Sequence, residues 1–182
     1  MKIHIKDRLE LSLSEIRKIL ELLTSIWPPQ VGFVDTEKMI QDYSRKNLSS
    51  FNKVLLYFKG EELIGHTEIF NREIIVDSER KEILALAGVC VKPEYRGKDI
   101  GYSLVENAFR YVDNGQFSCS IFQTNVPGFY ERFDCKQIQN KFINGKSTIG
   151  TNKNPWRDPY VMVYPNTCIV GDNDIDLNGE GY

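Results

Sequence analysis

One six-residue stretch carries the densest chemical signal in the chain: Arg96-Gly97-Lys98-Asp99-Ile100-Gly101. It follows a Val-rich, strand-like run and opens into a helical pattern. The first N–H groups of a helix have no acceptor within the helix, and its dipole adds positive character there. Glycines let that backbone approach a ligand closely, because no Cβ intervenes. Arg96 and Lys98 add full charge. The chemistry this suits is the binding of an anion. The plainer alternative is an ordinary strand-to-helix connection with two solvated basic residues, and spacing alone leaves both open.

Other reactive types are sparse. His4 and His66 are the only histidines, which excludes chemistry needing several imidazoles and makes a metal site unexpected. Cys90, Cys119, Cys135 and Cys168 lie far apart with no CxxC spacing, and read as reduced thiols, mostly in the core. No GxxxxGK[ST] is present, which sets aside a P-loop nucleotidase. A net charge of −2 over 182 residues leaves no electrostatic footprint for nucleic acid. No apolar run approaches the length that spans a bilayer, and the N-terminus alternates like a strand instead of resembling a signal peptide. With 41% apolar and 26% charged residues the balance is globular. A cytoplasmic location is expected.

The elements that must position the loop follow from periodicity. Leu13, Ile16, Leu20 and Leu23 recur at helical spacing over residues 13 to 25, with Ser12 or Ser14 as cap and Pro28-Pro29 as the stop. A second helix is expected from Asp35 or Thr36 to about Tyr43. Residues 53 to 59 and 62 to 75 read as strands joined by a turn at Lys59-Gly60-Glu61-Glu62. Residues 82 to 92 form a nearly continuous apolar strand, the pattern of a doubly covered one. Ile100, Leu104, Ala108 and Val112 should face the sheet from a helix over 100 to 112. A strand over 117 to 122 follows. Asn125 stands where an N-cap belongs, before Pro127 and a short helix. Residues 136 to 143 and 159 to 164 read as final strands around the polar loop Asn144 to Asp158. There are no repeats and no linker, so residues 1–182 are read as one domain, with 166–182 as an acidic tail.

The stretch from Val89 through Arg96-Gly97-Lys98-Asp99-Ile100-Gly101 to Leu104 resembles motif A of the Gcn5-related N-acetyltransferases (GNAT), written Arg/Gln-x-x-Gly-x-Gly/Ala. The element order over roughly residues 12 to 165 is similar as well. The resemblance implies an α/β (α+β) fold with a mixed, mostly antiparallel sheet flanked by helices. It implies acetyl-CoA as cosubstrate, with its pyrophosphate on Arg96, Gly97, Lys98, Asp99, Ile100, Gly101 and Tyr102. It also implies that the backbone of Val89, Cys90 and Val91 holds the pantetheine arm. Asp99 stands where the family usually has glycine; it tolerates a left-handed backbone, but its charge repels pyrophosphate. Asn125 to Cys135 resembles motif B, with Tyr130 matching the tyrosine that protonates the departing thiolate and Asn125 reaching the cofactor. Asp134 and Cys135 replace the usual Gly-Phe there.

What the resemblance then requires is an amine attacking the thioester directly. Glu68 is the best candidate base, or orienter of a water, against the plain alternative of an outward-facing strand carboxylate. Glu82, at the far end of its strand, is a poorer one. Cys90 as an acyl carrier is set aside in favour of a core thiol. The Asn-Pro-Trp segment around Trp156 and the Asp-Leu-Asn-Gly ending are similar to the aminoglycoside 2′-N-acetyltransferase neighbourhood, which points to a cationic acceptor. On that reading Trp156 offers a ring face and the carboxylates of residues 171 to 182 attract the cation; otherwise the tail is merely solvated. Expected partners are a small-molecule amine and at most a second copy of the chain, with no nucleic acid and no membrane. The reading from another class is a non-catalytic acyl-CoA sensor of the same fold.

Overall fold

The computed structural model describes residues 2–29, 35–45, 49–148, 150, 153–168 and 173–182. Their elements are β1 (Lys2–Asp7), α1 (Leu13–Ile26), α2 (Thr36–Arg45), β2 (Asn52–Lys59), β3 (Glu62–Val76), β4 (Glu79–Val91) and α3 (Ile100–Asp113). After these come β5 (Ser120–Thr124), α4 (Pro127–Glu131), β6 (Lys136–Ile138), β7 (Phe142–Ile143), β8 (Tyr160–Tyr164) and β9 (Ile175–Asp176). The sheet is mixed and mostly antiparallel, with parallel pairing at β4–β5 and β7–β9. The expected fold class holds.

Local chemistry explains the boundaries. Ser12, not Ser14, caps α1: its Oγ accepts from the Glu15 N–H at 3.2 Å, and Glu15 Oε2 accepts from the Ser12 N–H at 2.9 Å. This reciprocal box satisfies two donors that the helix cannot. Asp77 and Ser78, with φ of 55° and 65°, turn β3 into β4. Two left-handed residues in succession match the twist of a tight hairpin, and without a glycine the turn leaves little trace in the sequence.

The described residues form two compact units, and β3, β4 and α3 contribute to both. The first comprises residues up to Phe70 together with Ala87–Ala108. In it β1, β2 and the start of β3 make an antiparallel meander, with Leu55↔Thr67 and Leu56↔His66 in register. Val54 and Leu56 pack with Ile19 and Leu22 of α1 on one face. On the other, Ile100 and Leu104 of α3 lie against Gly65.

The second unit comprises Asn71–Leu86 and Phe109–Tyr182. Here β5 pairs with β4 through Leu84↔Ser120 and Ala85↔Ile121, and β8 lies between β5 and β6. Phe109 stacks on Tyr164 at 4.0 Å between centroids, and Ile74, Ile121, Val163, Ile175 and Leu177 are fully buried.

Three expectations are corrected in this unit. Residues 136 to 143 are not one strand: β6 pairs with β8, whereas β7 pairs with β9, carrying Phe142 into the core. Trp156 offers no face to a ligand. It is 6% exposed, wedged edge-on between Phe142 and Tyr182. The described part of the acidic ending is tied into this unit, although Asp174 and Glu180 stay exposed; Gly171 and Asp172 lie outside the described residues. Asp176 Oδ1 accepts from the N–H groups of Gly145 (2.8 Å) and Asn178 (2.7 Å), Glu180 takes the Asn144 amide at 2.8 Å, and Asp174 pairs with Lys141. Tyr182 donates its hydroxyl to the Ile121 carbonyl at 2.6 Å. Composition concealed this, because the carboxylates are the visible residues and Ile175 and Leu177 do the packing.

Leu177→Ala should therefore destabilise the protein by about 2–5 kcal/mol, the usual cost of emptying a buried leucine site. Chemical denaturation measures it. A change within error would return the ending to solvent.

Candidate functional site

The loop between β4 and α3 is built from two left-handed residues. Gly97 has φ 71° and Asp99 has φ 54°. Asp visits this region more readily than most residues, so Asp99 reproduces the turn a motif glycine would make. Its carbonyl accepts the Ser103 N–H at 2.9 Å, the first bond of α3. The amides of Ile100, Gly101 and Tyr102 belong to the first turn, where no carbonyl lies four residues back in the helix. Arg96, Gly97, Lys98 and Asp99 are exposed, and a side chain at Gly97 would meet nothing within 4 Å. First-turn amides and two exposed cations near the open side of Gly97 form a donor set that fits a pyrophosphate.

Arg96 is also tied backwards, its Nε donating to the Val91 carbonyl at 3.1 Å. Lys92 and Tyr95 share the Glu62 carboxylate at 2.6 and 3.0 Å, which lowers the Glu62 carboxyl below its usual range. Those contacts hold the short helical turn Pro93–Tyr95 in place.

The end of β4 is less covered than its sequence suggests. Ile83 to Leu86 are buried, but Ala87, Gly88, Val89 and Val91 are only half-buried. Gly88, with φ 60°, breaks the regular strand. The Gly88 carbonyl is met by His66 Nδ1 at 2.9 Å, and the Ala87 carbonyl by Thr67 Oγ1 at 3.1 Å. Burial pushes the Cys90 thiol up to about 12, against the lowering effects of the His66 backbone and Arg96. It stays protonated, unfit as a nucleophile.

Glu68 does not face outward. It is 7% exposed and ion-paired with Arg8, itself 6% exposed, whose guanidinium also donates to the Tyr43 carbonyl and lies 3.5 Å from the Tyr43 ring centroid. Burial, then the Glu68 charge, raises the Tyr43 hydroxyl, so it keeps its proton. His66, on the same face of β3, is 1% exposed, and burial lowers its pKa from 6.5 to about 4. The imidazole is neutral. Because a carbonyl can only accept, Nδ1 carries the proton, and Nε2 has no hydrogen-bond partner among the described residues.

Two expected site residues belong to the second unit. Tyr130 is 5% exposed, its ring 4.6 Å from Phe122 and 4.9 Å from Phe129. Burial, then the neighbouring Cys135 and Asp158, raises its hydroxyl well above the ordinary phenol range. Asn125 is exposed and does not cap α4; Val126 occupies that position, and its N–H goes to Thr124 Oγ1 at 3.0 Å. Asp134 takes φ 57° where glycine was expected, the second such replacement by Asp in the chain. Glu82 is exposed and accepts from Asn71 at 3.0 Å.

The acetyltransferase (GNAT) domain model matches residues 10–138. The chain belongs to the GNAT family. Among curated proteins none matches it significantly. Of solved structures, ElaA of Escherichia coli aligns over 89% of this chain and 97% of its own, at TM-score 0.59 and 16% identity. An acyl-CoA N-acyltransferase of Pseudomonas aeruginosa does so over 89% and 97%, at 0.60 and 13%. A GCN5-related N-acetyltransferase of Kribbella flavida aligns over 75% of this chain at 0.55 and 16%. The GNAT chain spans only 33% of that protein's length, and likewise of a probable N-acyltransferase of Enterococcus faecalis. At these identities the likeness is one of fold.

Sequence reasoning found Glu68 in the polar layer of this GNAT chain but missed Arg8, Tyr43 and His66. Arg8 lies in an unremarkable Asp-Arg-Leu-Glu run, and only a histidine inside the apolar run of β3 hinted at it. The layer makes stability depend on pH. The unfolded His66 binds a proton below about pH 6.5 while the folded one does so only near 4, so stability is intact above that range and falls with acidification. The linked loss approaches about 3 kcal/mol once the pH lies below both values. Urea unfolding between pH 7 and 4.5 should show it, and His66→Gln should flatten the slope. An equal slope in both proteins would contradict the neutral imidazole.

Proposed function

We propose that this chain is an acetyl-CoA-dependent N-acetyltransferase that passes the acetyl group to a primary amine within a ternary complex. One observation carries the reading: the left-handed turn at Gly97 and Asp99 opens α3, with Arg96 and Lys98 exposed beside its first turn. Such a cradle suits a pyrophosphate, and the GNAT membership makes acyl-CoA the natural bearer of one. Val89, Cys90 and Val91 are proposed to hold the pantetheine arm through their backbone.

In the proposed reaction the amine nitrogen attacks the thioester carbonyl carbon, the C–S bond breaks, and CoA departs as a thiolate. Tyr130, its proton retained by burial, is proposed to protonate that sulfur. The attacking nitrogen must also shed a proton. Glu68 is held by Arg8, so it is proposed to orient a water and not to act as a strong base itself. The acceptor is proposed as a small primary amine. The acidic ending no longer argues for a cationic one, because its described carboxylates are engaged within the fold. The Glu68–Arg8 pair also favours a second reading, an acyl-CoA sensor without turnover. Release of CoA thiol with acetyl-CoA and a panel of amines distinguishes the two.

Acetyl-CoA should raise Tm, since it binds only the folded state, and Arg96→Glu should remove most of that shift; equal shifts would take the site away from the loop. Asp99→Gly should tighten binding by removing a carboxylate from a turn glycine makes as well. Weaker binding would mean that the carboxylate builds the turn.

Tyr130→Phe should lower kcat by roughly 100-fold, the scale of a lost general acid, with KM for acetyl-CoA little changed. An unchanged kcat would leave Tyr130 a packing residue.

A further inference from the structure

The four cysteines are all free, yet they are not alike. Cys90 and Cys135 are buried, and burial pushes each up to about 12. Cys119 and Cys168 are 49 positions apart in the sequence and hydrogen-bond each other through their side chains. Cys119 is 3% exposed at the start of β5, where its carbonyl accepts the Leu84 N–H at 2.9 Å. Cys168 follows β8, its N–H bonded to the Pro165 carbonyl at 2.9 Å, and it packs half-exposed against the cluster that contains Cys119.

We propose that Cys119 and Cys168 form a redox-sensitive pair that closes to a disulfide on exposure to a hydroperoxide. The pair is asymmetric in the way such chemistry requires. Cys119 is the thiol donor, its pKa raised chiefly by the bond to Cys168 and by burial. Cys168 receives that bond, which lowers its pKa, and Lys81 helps. The more accessible sulfur is therefore the better thiolate, and the thiolate is the nucleophile. Cys168 attacks one peroxide oxygen, the O–O bond breaks, and the departing hydroxide takes a proton to leave as water. Cys168 becomes a sulfenic acid. The Cys119 sulfur then displaces the sulfenic hydroxyl, which leaves as a second water with the Cys119 proton, and the S–S bond forms. Two thiols are oxidised by two electrons and one peroxide is reduced to two waters. The product would fasten the segment after β8 to the start of β5.

The test is treatment of the full chain with a small excess of hydrogen peroxide, alkylation, and peptide mapping without reduction. The expected product joins the Cys119 and Cys168 peptides within one chain, while Cys90 and Cys135 are alkylated after unfolding. In Cys119→Ala, which keeps the nucleophile, dimedone should trap a sulfenic acid at Cys168. The proposal is overturned if wild-type Cys119 remains alkylatable while Cys168 is over-oxidised. It is equally overturned if Cys168 links to another chain, or if both thiols stay reduced.

Discussion

Between Val91 and Ile100 the backbone has to stop being a strand and become a helix. Gly97 and Asp99 accomplish this with two left-handed conformations, and the short turn at Pro93–Tyr95 is braced beforehand by Lys92, Tyr95 and Glu62. Once α3 begins at Ile100, its buried face follows by helical spacing, and Ile100 and Leu104 land against Gly65. The same turn leaves Arg96 bonded to the last carbonyl of β4. A single change of direction thus sets the packing of α3 and the positions of the donors together.

The second constraint is a polar one inside an apolar sheet. Side chains of β3 take two successive carbonyls of β4: His66 that of Gly88 and Thr67 that of Ala87. A buried carbonyl without a partner would be costly, so this substitution is what lets β4 depart from a regular strand at Gly88. The ion pair of Arg8 and Glu68 shares the His66 face. Removing either partner would strand a buried charge, which costs far more than the pair contributes.

Much of the fold before the C-terminal region was legible because helical and strand periods are carried by many residues at once. Leu13 to Leu23 and Ile100 to Val112 could hardly read otherwise, and Arg96 to Gly101 combine a chemical signal with a structural one. Near the C-terminus the signal reverses. Ile175 and Leu177 are two apolar residues among carboxylates, and nothing local reveals that β9 pairs with β3 and β7. Trp156 was conspicuous for its type but is held in the core, and Gln123, which accepts the Arg157 and Asp158 N–H groups at 2.7 and 2.8 Å, gave no sign at all. Arg8 and Glu68 are 60 positions apart, a separation that patterning cannot bridge. Contacts of that kind are set by the fold and become visible only with it.

The central claim is that the amides opening α3 receive the pyrophosphate. Hydrogen–deuterium exchange of residues 97 to 102, with and without CoA, addresses those atoms directly. Exchange there should slow markedly on saturation with CoA and less with pantetheine, which lacks the pyrophosphate. Slowing elsewhere in the chain, or equal slowing with both ligands, would contradict it.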